Sequence, residues 1–501
     1  MIFYLLIIFI GTLAFYNCYW KRRNLPPGPM PIPIIGNVMS FKSSPPPTPY
    51  VTWTKIFGNI YTVWLGEMPV VCVNDSKTIY ETFVKDGDTY AGRAQMSEWL
   101  EVVKHGQNGI IFSEGDSWKE HRRFALRVFR DFGFGKNLMQ EKILDEFFYM
   151  MESIKADKNA GVINHSLQDH IDLAVGSVIN SLLFGFRFNN NKKDDFNAQK
   201  EIIGATMKDL GRVEALVMQS GAHKFRFLPY FRKVYYDVQK NRDKTWNYFK
   251  ENVQKRKETM DPDSDADPVD YVEAYLRQQH QLNLKGESHY FTDKELYGIL
   301  WDLWIAGQET TSNTTAWTCL YLIKNLKCQA KVHEELSKII GSDRLVTVAD
   351  KPNLHYINAV IAETQRFCNL VNTNVLHRTL KDVKIHGYNI PKHTVIISHI
   401  SSVLYDERYF PDPYKFKPER FLDQNGIFSW PPELMPFGVG KRACLGESLA
   451  RMELFLFVAN LFNQFIFKEN PQKPINDERL LCGTISPQQY TCLIEKRGYG
   501  Y

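Results

Sequence analysis

The sequence predicts a mainly α-helical protein with small β-sheets and one transmembrane helix at its N-terminus. Three observations lead to this fold class. The first twenty residues carry no charge, most of the remaining chain has the apolar spacing of helices, and only two stretches alternate as strands do. The 501 residues have an ordinary globular composition and show no internal repeat, so one large domain is expected after the anchor.

The N-terminal segment, residues 1–20, has the properties of a membrane anchor. Ten of its side chains are Ile, Leu or Phe. Twenty helical residues span about 30 Å of hydrocarbon, and these side chains favour insertion by roughly 3 to 6 kcal/mol. Lys21, Arg22 and Arg23 follow at once, which predicts a cytosolic position for the rest of the chain. A cleaved signal peptide would need a basic start and a small-residue cleavage site, and the segment has neither.

A stiff connector is predicted between the anchor and the domain. Residues 21–36 are basic and then proline-rich, with the run LPPGP at positions 25–29, and prolines exclude helix. This connector serves as a linker or as a hinge that sets the tilt of the domain on the membrane. The domain itself is predicted to occupy residues 37–501.

Two stretches of this domain are predicted to form strands. Residues 60–65 and 70–73, separated by Gly66 and Glu67, have the pattern of a β-hairpin. Residues 383–400 are also strand-rich, with breaks at His386-Gly387 and Pro391. The acidic segment 260–268 contains prolines and is expected to be an exposed loop.

Charge and cysteine content restrict the class of protein. A net charge of +5 is modest for this length and does not favour nucleic-acid binding. The eight cysteines are widely spaced and include no CxxC pair, which argues against a secreted disulfide scaffold. Most of them are expected to be reduced and to pack as small apolar residues.

One long helix is predicted to be buried centrally and to carry function. Thr292 followed by Glu295 is typical of a helix start, and an almost continuously apolar run extends to residue 322. Its middle, AGQETT at 306–311, includes Gly307 and Glu309. Glycine destabilises a helix by about 1 kcal/mol relative to alanine, and a buried carboxylate needs a partner. Two such unfavourable residues in one otherwise apolar helix indicate a functional site.

The strongest signal is the segment FGVGKRACLG, from Phe437 to Gly446. A metal-binding thiolate needs a loop that fixes and shields the sulfur of Cys444. Gly440 can take backbone angles that other residues avoid, and Gly446 allows a flat cofactor to approach the backbone. Arg442 offers a cation to a carboxylate, and free amides can donate hydrogen bonds to the sulfur. A lone cysteine is usually structural, but this context favours a ligand.

This loop resembles the haem-binding loop of the cytochrome P-450 family, Phe-x-x-Gly-x-Arg-x-Cys-x-Gly. Four further motifs occur in the family's order, at residues 118–122, 306–311, 363–366 and 416–421. The anchor and the proline-rich hinge resemble the animal microsomal, family 2-like members, which implies the endoplasmic reticulum membrane with a cytosolic catalytic domain. The resemblance covers nearly the whole chain and implies the cytochrome P-450 fold, a triangular helical domain with small β-sheets.

The resemblance also implies the cofactor and its contacts. The cofactor would be haem b, iron protoporphyrin IX, with Cys444 as the axial ligand. Its propionates would be bound by Trp118, Arg122, His377 and Arg442. By themselves, Trp118 and Arg122 indicate only an amphipathic helix, and a lone histidine is more often structural than a ligand contact.

Glu363, Arg366 and Arg420 match a structural triad of the family that supports the cysteine loop. From spacing alone, Glu363 and Arg366 indicate a surface ion pair worth a few tenths of a kcal/mol. The resemblance instead implies a buried group of three charges.

The implied reaction places one atom of O₂ on a small lipophile, such as a fatty acid, a steroid or a xenobiotic. A thiolate ligand favours O–O cleavage. Thr310 would hydrogen-bond the distal oxygen, Glu309 would relay protons, and Ala306 would leave room above the iron. Trp304 and Ile305 either narrow the pocket or pack in the core. Residues 372–376 lack the prolines common in the family, which affects the expected shape of the pocket wall.

Electrons are expected from NADPH through a flavoprotein reductase, with cytochrome b5 as a second candidate partner. The docking surface would comprise Lys441 and three arginines at helical spacing, namely Arg123, Arg127 and Arg130. Two alternatives remain, a haem-thiolate peroxide isomerase and a non-catalytic haem carrier or sensor. The isomerases usually lack the acid–threonine pair that is present here. The sequons at Asn74, Asn164 and Asn313 are expected to be unglycosylated on the cytosolic side.

Overall fold

The computed structural model describes residues 1–41, 49–133, 137–188 and 193–498. Within them, helices occupy α1 Ile2–Cys18, α2 Pro49–Phe57, α3 Ser76–Ile79, α4 Ser97–Lys104, α5 Gly115–Asp131, α6 Asn137–Asn159, α7 Leu167–Phe184, α8 Lys193–Leu210, α9 Val213–Met218, α10 Ala222–Phe225, α11 Pro229–Thr259, α12 Tyr271–Lys285, α13 Asp293–Lys324, α14 Leu326–Ile339, α15 His355–Cys368, α16 Ile400–Leu404 and α17 Glu447–Gln464.

The strands are short, as predicted. They are β1 Ile60–Leu65, β2 Met68–Val73, β3 Gly92–Arg93, β4 His377–Arg378, β5 Val383–Ile385, β6 Tyr388–Ile390, β7 Val395–Ser398, β8 Phe465–Lys468, β9 Arg479–Leu481, β10 Ile485–Pro487 and β11 Leu493–Lys496. The predicted hairpin is confirmed as β1 and β2, and the strand-rich stretch from residue 383 supplies β5, β6 and β7.

The main sheet has the strand order β1-β2-β7-β4-β3. β2 and β7 run parallel, and the other neighbours are antiparallel. The pairing of β3 with β4 places Arg93 opposite His377. The sheet thus brings together two polar side chains that lie far apart in the sequence.

The helix α1 is long and apolar enough to cross a membrane. The candidate span runs from Ile2 to Arg22 with a mean hydropathy of 1.9, and almost all of it is exposed. The connector packs against the domain, because the Thr62 amide donates to the Pro27 carbonyl at 2.8 Å and the Asn17 side chain donates to the Pro31 carbonyl at 2.7 Å. The anchor and β1 are therefore joined through a hydrogen-bonded proline segment.

The helix α13 lies at the centre of the core and packs against α7, α11, α15 and α17. Its predicted start is confirmed, since the Thr292 hydroxyl accepts a hydrogen bond from the Glu295 amide. Trp304 is 1% exposed and packs against Tyr248 and Phe249, so it belongs to the core. A long apolar helix buried on most of its surface needs neighbours on all sides, which this arrangement provides.

Two features predicted from composition also appear. Residues 260–268 form a loop before α12, and most of them are exposed. Residues 372–376, which lack proline, are fixed by side chains instead. The Ser401 hydroxyl donates to the Asn372 carbonyl at 2.6 Å, and the Asn374 side chain donates to the Ser398 hydroxyl at 3.0 Å.

Candidate functional site

The cysteine loop is held by its own backbone and by a close neighbour. The Cys444 amide donates to the Phe437 carbonyl at 2.9 Å, and residues 440–442 form one 3-10 turn before α17. Gly440 has φ +73°, and a Cβ there would lie 1.8 Å from the Phe83 carbonyl oxygen. Only glycine fits this position, because both the backbone angle and the contact exclude a side chain.

Cys444 is an exposed residue, and most of its neighbours in the loop are half-buried. Burial raises the pKa of its thiol, while a hydrogen bond from the Gly446 amide and the charge of Arg122 lower that pKa. A Cβ at Gly446 would meet no protein atom within 4 Å. The face beside the sulfur is therefore open, and the amide and guanidinium groups there oppose the larger effect of burial, which raises the pKa of the thiol.

Three guanidinium groups gather beside this loop. Arg122 donates to the Ala443 carbonyl at 2.6 Å, and Arg442 donates to the carbonyls of Ala91, Ile110 and Ser113. Arg93 donates to the carbonyls of Ile111 and Val375. Among the described residues, none of the three arginines forms an ion pair with a carboxylate. Burial and mutual repulsion lower the pKa of Arg442 to about 8 and that of Arg93 to about 9.

Arg93 was missed by the sequence reasoning. It follows Gly92 in a two-residue strand, and no motif marks it. Only the pairing of β3 with β4 shows that it lies beside His377. Glu114 and Asp302 offset part of this charge, but none of the three guanidinium groups has a directly paired carboxylate, so the arrangement favours binding of an anion.

Trp118 and His377 lie beside members of this arginine cluster. The Trp118 indole lies under the Arg442 guanidinium at 3.5 Å, and its buried Nε1 has no hydrogen-bond partner among the described residues. His377 Nδ1 lies 2.7 Å from the Tyr90 carbonyl oxygen, and burial lowers the pKa of its imidazole well below the usual range. An orphaned indole donor and three cations fit the two carboxylates of a haem.

The central helix has one accessible stripe. Ala306 is exposed and Thr310 is partly exposed, although the neighbouring turns of α13 are buried. The Thr310 hydroxyl donates to the Ala306 carbonyl at 2.7 Å. An accessible stripe inside a core helix indicates a gap in the packing, and Ala306 keeps that gap open.

Glu309 does not share this stripe. Its carboxylate lies 3.0 Å from Lys200 Nζ of α8 and accepts a hydrogen bond from Asn313 at 3.2 Å. Lys200 also pairs with Asp172 of α7 at 3.2 Å. The sequence analysis predicted that Glu309 and Thr310 act together as a proton relay. Their side chains point to different surroundings, because adjacent helical residues are rotated by about 100°. Lys200 and Asp172 had no sequence signal.

The triad forms as a buried group. Arg366 donates to both oxygens of Glu363, at 2.7 and 2.8 Å, and Arg420 Nε donates to the same carboxylate at 3.2 Å. Glu363 and Arg366 are fully buried, unlike the surface pair that spacing alone suggested. Arg366 also donates to the Leu404 and Pro413 carbonyls. These bonds tie α15 to the segment that precedes the cysteine loop.

The predicted docking cations are exposed. Arg123, Arg127 and Arg130 lie on the outer face of α5, the helix whose Arg122 contacts the cysteine loop. Arg127 donates to Gln278 at 3.2 Å, and Lys441 pairs with Asp88 at 3.3 Å. The structure thus places a basic face next to the loop that carries the sulfur.

Comparison with known proteins gives consistent matches along the chain. The family model "Cytochrome P450" matches residues 26–493. Cytochrome P450 2C23 of Rattus norvegicus is 33% identical over 501 residues, covering 98% of each chain. Cytochrome P450 2H1 of Gallus gallus is 34% identical over 477 residues, covering 95% of this chain and 93% of its own. Cytochrome P450 2E1 of Rattus norvegicus is 32% identical over 499 residues, covering 98% of each chain.

Proposed function

This chain belongs to the cytochrome P450 family and is a haem-thiolate monooxygenase, and we propose that it oxidises small lipophiles with electrons from NADPH through a flavoprotein reductase. The observation that carries the proposal is the exposed Cys444 beside three guanidinium groups, one buried and two half-buried, that lack a directly paired carboxylate. This combination fits a cofactor with one metal and two carboxylates.

We propose specific roles around that cofactor. Cys444 would hold the haem iron through its thiolate, and the Gly446 amide would tune its sulfur. Arg122, Arg442 and Trp118 would bind the propionates, with Arg93 as a fourth contact. His377 would lie in the same wall. When bound, haem with a thiolate ligand supplies the iron that activates O₂.

The proton path is proposed to use two separate groups. Thr310 would hold a proton at its hydroxyl in the open stripe of α13, where its present acceptor is the Ala306 carbonyl. Glu309 would receive protons through Lys200, which is partly exposed. For transfer to Thr310, the Glu309 side chain has to leave Lys200. This opening step makes the charged cluster of Lys200, Asp172 and Glu309 a control point for proton supply.

Several features favour a lipophilic substrate. The anchor places the domain at a membrane, and a second exposed apolar segment includes Phe227, Leu228 and Tyr230. Lys104 is fully buried against Asp302, whose carboxylate also accepts the amides of Ile110 and Ile111 at 2.6 and 2.9 Å. This buried charge pair is internally satisfied, so it has no free charge to offer to a substrate.

The reductase is proposed to dock on the basic face of α5 and Lys441. Exposed arginines steer an acidic partner through long-range attraction, and this attraction weakens as salt screens it. The contact of Arg122 with the Ala443 carbonyl connects the docking helix directly with the cysteine loop.

The proposal is tested with purified full-length protein in detergent or vesicles. We expect NADPH consumption only with reductase present, and product formation from a lipophile that shifts the haem spectrum on binding. The matched control is the same protein without reductase. A peroxide isomerase would convert a hydroperoxide without NADPH, and a haem carrier would consume no NADPH with any ligand. Either result would overturn the proposal.

A further inference from the structure

A cluster of two imidazoles and one carboxylate lies at the connection between α6 and α7, outside the haem-thiolate site. Asp157 belongs to the last turn of α6, His165 to the connection, and His170 to the first turn of α7. One potential ligand atom from each residue lies within 4.8 Å of the other two. We propose that Asp157, His165 and His170 bind a divalent transition-metal cation of the zinc class.

The distances are close to those of a metal site. Asp157 Oδ2 lies 3.0 Å from His170 Nε2 and 4.0 Å from His165 Nδ1. Zinc binds such atoms at about 2.0 to 2.2 Å, which separates neighbouring ligand atoms by roughly 3 to 3.5 Å. One separation already has this value. The Asp157 side chain is 41% exposed, so it can turn to close the remaining gap.

An unpaired buried nitrogen points independently to a ligand. His165 is 2% exposed, and its Nδ1 has no hydrogen-bond partner among the described residues. The backbone of His165 is fixed, because its amide donates to the Cys492 carbonyl at 2.9 Å and its carbonyl accepts from the Cys492 amide at 3.1 Å. A buried polar atom that is held in place without a partner is unfavourable, and a cation would satisfy it.

The ligand chemistry selects the type of cation. Magnesium and calcium prefer oxygen ligands, whereas two imidazoles and a carboxylate suit zinc and its neighbours. Imidazole coordinates a metal in its neutral form, which is the main form of an ordinary histidine at neutral pH. Among neighbouring charges, Lys158 opposes a cation and Asp169 favours it.

A cation at this position would join the end of α6 to the start of α7. The helix α7 also carries Asp172, two residues after His170, which binds Lys200 in the charged cluster around Glu309. The expected consequence is a stiffer α6–α7 connection and therefore a higher thermal midpoint when the cation is bound.

The test measures zinc binding to full-length holoprotein without an affinity tag. After removal of metals with a chelator, equilibrium dialysis against low-micromolar zinc should give one tightly bound zinc per haem. Asp157→Asn and His170→Ala should each weaken this binding at least about tenfold. The matched control is His280→Ala, because His280 Nε2 lies 3.3 Å from Asp263 in a partly exposed pair that has no third potential ligand among the described residues.

Three readouts separate a metal site from a purely structural His–Asp pair. The reduced carbon monoxide spectrum should stay unchanged in all variants, which shows intact folding. Zinc should raise the thermal midpoint of the wild type and of His280→Ala but not of the two ligand variants. Equal zinc binding by wild type and both ligand variants would overturn the proposal, as would calcium acting as well as zinc.

Discussion

Replacing Thr310 by alanine is expected to uncouple turnover without disturbing the haem site. The change removes the hydroxyl in the open stripe of α13 and touches neither Cys444 nor the guanidinium cluster. NADPH should still be consumed, but more of the oxygen should leave as hydrogen peroxide and less as hydroxylated product. The physical reason is competition, because a step that lacks its proton donor loses to release of the reduced oxygen.

The magnitude follows from the contacts of Thr310. Its hydroxyl makes one bond within the helix, to the Ala306 carbonyl, so the variant loses about 0.5 to 1.5 kcal/mol. The higher helix propensity of alanine returns roughly 0.6 kcal/mol, and the net change in stability stays within about 1 kcal/mol. Loss of a positioned donor instead costs about 10²-fold in the step that it serves, or roughly 2.7 kcal/mol. The functional effect should therefore exceed the structural one.

The chain offers a matched control in the same helix. Thr314 also donates a hydrogen bond four residues back, to the Thr310 carbonyl at 2.8 Å, but its side chain is buried. The assay is product formed per NADPH, with peroxide measured in parallel, for wild type, Thr310→Ala and Thr314→Ala. Only Thr310→Ala should lose coupling. Unchanged coupling in Thr310→Ala, or an equal loss in Thr314→Ala, would refute the role of the hydroxyl.

Four further predictions concern the ligand, the partner, pH and the membrane. Cys444→Ser should abolish the thiolate-type band of the reduced carbon monoxide complex, and a retained band would exclude Cys444 as the ligand. Reversing the charges of Arg123, Arg127 and Arg130 should slow reductase-driven turnover and spare peroxide-driven turnover. The effect should disappear at high salt. Burial raises the pKa of Glu453 to about 8, while its Thr311 hydrogen bond lowers it. The unfolded carboxyl ionises near pH 4.5, so the native state is penalised increasingly from that pH up to about 8. Glu453→Gln removes this penalty, up to about 5 kcal/mol, and its gain in thermal midpoint should be larger at pH 8 than at pH 5; an equal gain at both pH values would contradict the assignment. Deletion of residues 1–20 should weaken sedimentation with membranes and leave the carbon monoxide spectrum intact, with haem loss as the contrary result.

Two of the three sequons are protected by structure as well as by the predicted topology. Asn74 is 1% exposed and its side chain bonds the Asn59 and Cys72 carbonyls. Asn313 is 8% exposed in α13 and bonds Glu309. A glycan could not be attached at either position without displacing core contacts.

The sequence determined the features that depend on neighbouring residues. The anchor, the hairpin, the start of α13 and the cysteine loop all follow from short patterns, because hydropathy, capping and backbone freedom act over a few residues. Each supporting motif alone had a structural explanation. Their functional interpretation therefore rested on the family resemblance and on the order in which the motifs occur. Glu363 and Arg366 show this limit, because their spacing indicated a surface pair.

Only the tertiary structure decided which distant side chains meet. Arg93 reaches the cysteine loop through the pairing of β3 with β4, and Lys200 reaches Glu309 through the packing of α8 on the core. Trp304, equally able to line a pocket or fill the core, packs against α11. The energies of ion pairs and buried cations depend on the local dielectric and on neighbouring residues from several helices and strands. Packing sets both of these factors, and local sequence does not.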